Sequence, residues 1–123
     1  MKNALRIALL SLVIGLPAQA QEVERGPLLI CDTQAQVERL GQIYEGKAPD
    51  ALRTVNTEVN NPTACAAADV EFVPGKVLGM VRSKSHTFQV VPIIVVGVNT
   101  PAGIQPVNAA VYFTLRAVRE YSI

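Results

Sequence analysis

Hydrophobic residues recur at two different periods along this chain, and the change-over falls at a cysteine. Upstream of Cys65, Val37, Leu40, Ile43 and Tyr44 follow the three-and-four spacing that lines one face of a helix. Downstream of it, Ala66, Ala68, Val70 and Phe72 alternate with Ala67, Asp69, Glu71 and Val73, the repeat of a strand. A helical segment followed by a run of strands predicts an α+β fold, and a length of 123 residues holds it to one small domain.

Caps bound the helical half. Thr33-Gln34-Ala35-Gln36 matches a capping box, whose side chains satisfy two amides that a helix start leaves unbonded. The first helix is expected from Gln34 to Glu45, with Gly46 as a left-handed stop before Pro49. A second is expected from Pro49 to Val59, since proline fits a first turn and Leu52, Val55 and Val59 share a face. Thr54, Val55, Asn56 and Thr57 are mediocre helix formers, which leaves open an earlier end near Asn56.

In the second half, Ala66 to Val73 leads to a Pro74-Gly75 turn, and Lys76 to Ser83 reads as the next strand, with Gly79 as a bulge or a close approach of backbone. Lys84-Ser85 turns the chain into a long third strand from His86, with Phe88, Val90, Ile94, Val96 and Val98 as its apolar register. Pro92 marks a bulge or an edge position in it. Asn99 to Val107, with Pro101, Gly103 and Pro106, reads as a loop. In the last strand, Ala110 to Val118, Val111, Phe113, Leu115 and Ala117 point one way and Tyr112, Thr114 and Arg116 the other. The expected architecture is two short N-terminal helices packed on a four-stranded antiparallel meander. The alternative is a small, partly closed β-barrel capped by the helices.

The first twenty residues carry an address rather than structure. Lys2 and Arg6 precede an apolar run from Ile7 to Leu16, and Ala18-Gln19-Ala20 is a small-x-small cleavage signal, so residues 1–20 read as a secretory signal peptide and 21–123 as the domain. As a helix that run reaches about 15 Å, short of a hydrocarbon layer of about 30 Å. Gln21, not a cysteine, follows the cleavage point, so no lipid anchor is implied. A periplasmic or secreted protein without stable membrane insertion is expected. Removing Lys2 and Arg6 leaves nine basic residues against ten acidic ones. That balance argues against nucleic-acid binding, which rests on many phosphate-neutralising cations.

Cys31 and Cys65 both lie in the exported part, where disulfides persist. Bonding them to each other would close a loop in a small domain that needs a staple; two buried thiols or an intermolecular bond are the other options. Their wide separation argues against a redox pair. No metal or cofactor is expected, because His86 is the sole histidine and the sequence has no phosphate-cradling glycine loop, zinc-protease helix or nucleophile elbow.

The candidate chemistry is correspondingly thin. Ser85 and His86 suggest a nucleophile and base, but neighbours on a strand point to opposite faces and should not bond. Asp69 and Glu71 share a strand face, which places two carboxylates near each other for acid-base work, and folding could bring Asp32 or Asp50 to them; a solvated pair is the simpler reading. Tyr44 is expected in the core and Tyr112 on the surface. A meander would gather Arg82, Lys84 and His86 at one end of the sheet with Arg116 and Arg119, a cationic patch suited to an acidic ligand or a partner protein.

Three segments, Cys31-Asp32-Thr33-Gln34-Ala35-Gln36-Val37-Glu38-Arg39, Asn60-Asn61-Pro62-Thr63-Ala64-Cys65 and Thr100-Pro101-Ala102-Gly103, resemble a group of small exported proteobacterial proteins of unknown function. The resemblance implies periplasmic or secreted placement and transfers no substrate, cofactor or catalytic residue. The functional expectation is therefore a non-enzymatic exported binding or accessory module. The alternative is a small periplasmic enzyme using carboxylates or His86.

Overall fold

The computed structural model describes residues 22–118, in the order β1 (Glu24–Cys31), α1 (Gln34–Ile43), α2 (Ala48–Glu58), β2 (Cys65–Pro74), β3 (Gly79–Arg82), β4 (Thr87–Thr100) and β5 (Gly103–Ala117). The expected signal peptide and Arg119 lie outside the described residues. No helix among them is long and apolar enough to cross a membrane.

The capping box forms as the sequence implies: the Gln36 amide donates to Thr33 Oγ1 at 3.2 Å and the Thr33 amide to Gln36 Oε1 at 3.1 Å. The α1 helix stops at Ile43, short of Glu45, because Tyr44 is already extended. Proline sits in the first turn of α2, and Asn60 leaves it in the left-handed region at φ 54°. Arg39 donates twice to the Glu58 carboxylate, at 3.0 and 2.9 Å, tying the two helices together on their exposed side. That hydrogen bond holds the Glu58 carboxyl below its ordinary range and raises Arg39.

The fold is α+β, but the sheet is not a four-stranded meander. It has five antiparallel strands in the order β2-β1-β5-β4-β3, and β2 also pairs with β4. The bonding β1 to β2, β2 to β4, β4 to β5 and β5 to β1 therefore closes into a partial ring, nearer to the barrel alternative. The added strand is β1, a stretch in which no element was expected and which contains Gly26 and Pro27. It pairs with β2 along its whole length but with β5 only at Ile30 and Cys31. The Asp32 amide donates to Ala64 O at 2.9 Å, which sets the phase of the ladder. Odd residues of β1 therefore face away from β2, so the missing amide of Pro27 points where β5 has already diverged. At that divergence the buried Thr114 hydroxyl donates to Leu29 O at 2.6 Å and replaces the ladder.

The expected loop from Asn99 to Val107 is also strand. Pro101-Ala102 makes a tight turn, Gly103 follows at φ 105°, and pairing runs from Thr100 opposite Gly103 to Gly97 opposite Pro106. The register shifts between Val95 and Gly97, so Pro106 sits where the ladder is already irregular. Pro92 is accommodated similarly. The carbonyls of Val90 and Pro92 accept from Leu78 and Gly75 at 2.8 Å each, placing Pro92's nitrogen in the gap between the β3 and β2 pairings.

Two cores result. Val37, Leu40, Ala51 and Val55 of the helices pack with Cys31, Cys65 and Val90 on one sheet face. Val70, Phe72, Val91, Ile93 and Val95 form a second core inside the ring. One strand serves both, since Phe88 and Val90 of β4 face the helices while Val91, Ile93 and Val95 face the ring. This corrects the expected register of β4, in which Ile94 was core: Ile94 lies beyond the helices and is 41% exposed.

The α1 helix reaches the sheet through a glycine. A Cβ on Gly41 would collide with Val81 Cγ2 and stand 3.3 Å from Leu115 Cδ2. Gly41→Ala should therefore lower stability by about 1 to 2 kcal/mol, although alanine is the better helix former. Adding Val81→Ala should recover part of the loss. Urea titration of the single and double variants checks this coupling, and an additive result would refute the close approach.

Candidate functional site

The inward face of the ring carries unusually small side chains. Ala66 and Ala68 of β2 and Ala110 of β5, with Ala64 beside them, occupy positions that larger residues fill in a small closed barrel. β1 ends at Cys31, so β5 has no β1 partner beyond Phe113, and the seam stays open there. The outcome is a cleft of about 450 Å3, walled by Ile30, Val70, Val95 and Val98, with Tyr112 on one side. Asp32, Thr63 and Asn108 supply polar groups among the lining residues. Its size and largely apolar lining match sites that take small organic ligands.

Tyr112 was expected on the surface. It is partly buried against the ring core, because the face it shares with Thr114 turns inward when the sheet curls. Tyr44 does pack against the helix-side core, as expected.

The predicted cationic group is only partly assembled. Arg116 donates to Glu24 Oε1 at 2.8 Å, which neutralises it. His86 turns its ring into an aromatic cluster, edge-on to Tyr44 at 5.1 Å and stacked on Phe88 at 5.8 Å between centroids. Arg82 and Lys84 are exposed and have no carboxylate within ion-pairing distance among the described residues.

At the same turn a contact ruled out above does form. Ser85 Oγ lies 2.8 Å from His86 Nδ1 and donates to Glu45 Oε2 at 3.0 Å, while the Lys84 amide donates to Glu45 Oε1 at 3.0 Å. The strand rule fails because Ser85 lies in the turn, outside the pleat, where the Ser83 amide bonds to His86 O at 2.9 Å. One hydroxyl proton serves two neighbours, so donation to Glu45 leaves the imidazole to donate from Nδ1. The chain runs from histidine to serine to carboxylate, with the acid on the hydroxyl rather than on the ring.

Three other candidate carboxylates are occupied separately. Glu71 accepts from Arg25 at 2.9 Å, Asp69 from Asn99 at 3.0 Å, and Asp50 lies 3.7 Å from Arg53. Among the described residues no three His, Cys, Asp or Glu side chains are placed to hold a metal ion.

Ala66 and Ala68 were read with Val70 and Phe72 as one apolar strand face, but nothing in the sequence said that this face lined the inside of a ring or that Ala110 joined it. Glu45 gave no signal either, since it sat at the end of a predicted helix, 40 residues from Ser85. No family model matches the chain, and neither the curated proteins nor the solved structures contain a significant match to it.

Proposed function

We propose that this protein is an exported binding module that holds a small, predominantly apolar ligand in the cleft of its ring. The observation that carries this reading is the alanine-lined cleft of about 450 Å3, open where β1 ends. A core with that composition forgoes packing contacts that bulkier side chains would make, and a ligand restores them. The signal-like N-terminus supports export.

The test compares the wild type with Ala68→Leu, which places a larger side chain in the cleft. Titration with the apolar fluorophore N-phenylnaphthylamine should give saturable binding to the wild type and at least about tenfold weaker binding to the variant, a difference of about 1.4 kcal/mol. Unchanged thermal unfolding of the variant would show that its fold survives. Equal affinities would refute the cleft as the site.

A second reading is favoured by the contacts of Ser85. In it the Glu45 carboxylate takes the Ser85 proton as the hydroxyl attacks an ester carbonyl, the ester C–O bond breaks and the alcohol leaves with that proton, and water then releases the acid from Ser85; His86 donates to the Ser85 oxygen beforehand to fix its position. These contacts support an enzymatic use of this turn better than the depleted cation cluster supports an acidic ligand there. Hydrolysis of p-nitrophenyl acetate should then be lost in Ser85→Ala and Glu45→Gln. Rates equal to wild type in both variants would exclude this chemistry.

A further inference from the structure

β3 is an edge strand among the described residues: it pairs with β4 on one side and with no described strand on the other. The Ser83 amide bonds to His86 O, so alternation along the ladder turns Ser83 and Val81 toward β4 and turns the amides and carbonyls of Arg82 and Met80 outward. This outward row is bordered by exposed apolar side chains, with Val77 49%, Leu78 46% and Met80 58% accessible. It is also bordered by Lys76, Arg82 and Lys84, all exposed and none ion-paired among the described residues. Only Arg82 and Lys84 belonged to the patch expected from sequence; Lys76 regroups them along the edge.

We propose that the free edge of β3 takes up an extended segment of a partner protein as an added strand, with apolar residues at the centre of that segment and carboxylates flanking them. The backbone row supplies the hydrogen bonds, the apolar side chains supply pockets for alternate residues, and the cations select the flanks. Charge also decides against a second copy of this chain. Two β3 edges paired antiparallel about Met80 would set Lys76 opposite Lys84, and like charges directly opposed are destabilising. The same lysines keep the edge from pairing indiscriminately.

The probe is a short synthetic peptide of alternating valine and threonine with paired aspartates at both ends, added to the full chain. Amide hydrogen exchange should show new protection at Met80 and Arg82. The same peptide ending in lysines should bind at least about tenfold more weakly at low salt. Met80→Pro removes an outward amide without touching the β4 ladder and should abolish the protection at Arg82 while leaving the rest of the exchange pattern intact. Arg82→Glu, which keeps the backbone row, should narrow the preference between the two peptides. The proposal is overturned if neither peptide protects these amides, if both bind equally, or if protection appears in the ring cleft instead. A concentration-dependent dimer that protects Met80 and Arg82 without peptide would assign the edge to a second copy and overturn it as well.

Discussion

Replacing Cys31 and Cys65 together by alanine is expected to lower unfolding stability by about 3 to 4 kcal/mol, the loop-entropy value for a closure of this length. The bond joins residues 34 apart that stand directly opposite in the β1–β2 register. Both sulfurs are buried in the helix-side core, and α1 and α2 are looped between them. The bridge thus holds the mouth of the helical segment against the sheet, and its removal acts mostly by enlarging the unfolded ensemble. The denaturant slope should rise along with the loss, because the unfolded chain without the bond exposes more surface. Guanidinium titration of the variant, and of the wild type with reductant, should give matching losses. A loss below about 1 kcal/mol in both would mean that the native contacts alone hold the segment.

Asn56→Ala is expected to cost about 2 to 3 kcal/mol, more than a surface asparagine on a helix would. Its Oδ1 accepts from the Cys65 amide at 2.8 Å, and its Nδ2 donates to Cys65 O at 2.9 Å and to Pro62 O at 3.0 Å. The side chain thus pairs with the first residue of β2 as a neighbouring strand would, anchoring α2 to the sheet. Alanine leaves the Cys65 amide and carbonyl without those partners in a partly buried place. Asn56→Asp keeps the acceptor but sets a carboxylate oxygen against the two carbonyls, so it should be no more stable than alanine. Urea denaturation of the three proteins at neutral pH checks the order, and an alanine variant within 0.5 kcal/mol of wild type, the range of ordinary surface changes, would contradict it.

These elements also show which parts of the molecule could be read from the chain. The α1 cap was legible because Thr33 and Gln36 are local partners three residues apart. β2 was legible because only one of its faces is apolar, so the alternation is clean. β4 was legible as a strand but not in register. Its apolar run is buried against the helices at one end and inside the ring at the other, which erases the period-two signal. β1 went unassigned because a glycine and a proline are poor strand residues, and only the divergence of β5 makes the proline harmless there. The tract around Pro106 was taken for a loop for the same reason: a bulge removes the need for its amide. For the candidate site, Ala66 and Ala68 were visible as part of an apolar strand face, whereas their convergence with Ala110 depends on pairings between β1 and β5 separated by 82 and 84 residues, which no local pattern encodes.

The ring cleft as a ligand site is tested most directly by nuclear magnetic resonance titration of the full chain with N-phenylnaphthylamine. Saturable shifts should be confined to the lining residues, led by the methyl groups of Ala66, Ala68, Val95 and Ala110, and the Tyr112 ring should show contacts to the probe. The amides of α1 and α2 on the far face of the sheet should stay still. Shifts spread over the exposed apolar residues Met80, Ile94 and Val111, with none saturating at the alanines, would contradict the account.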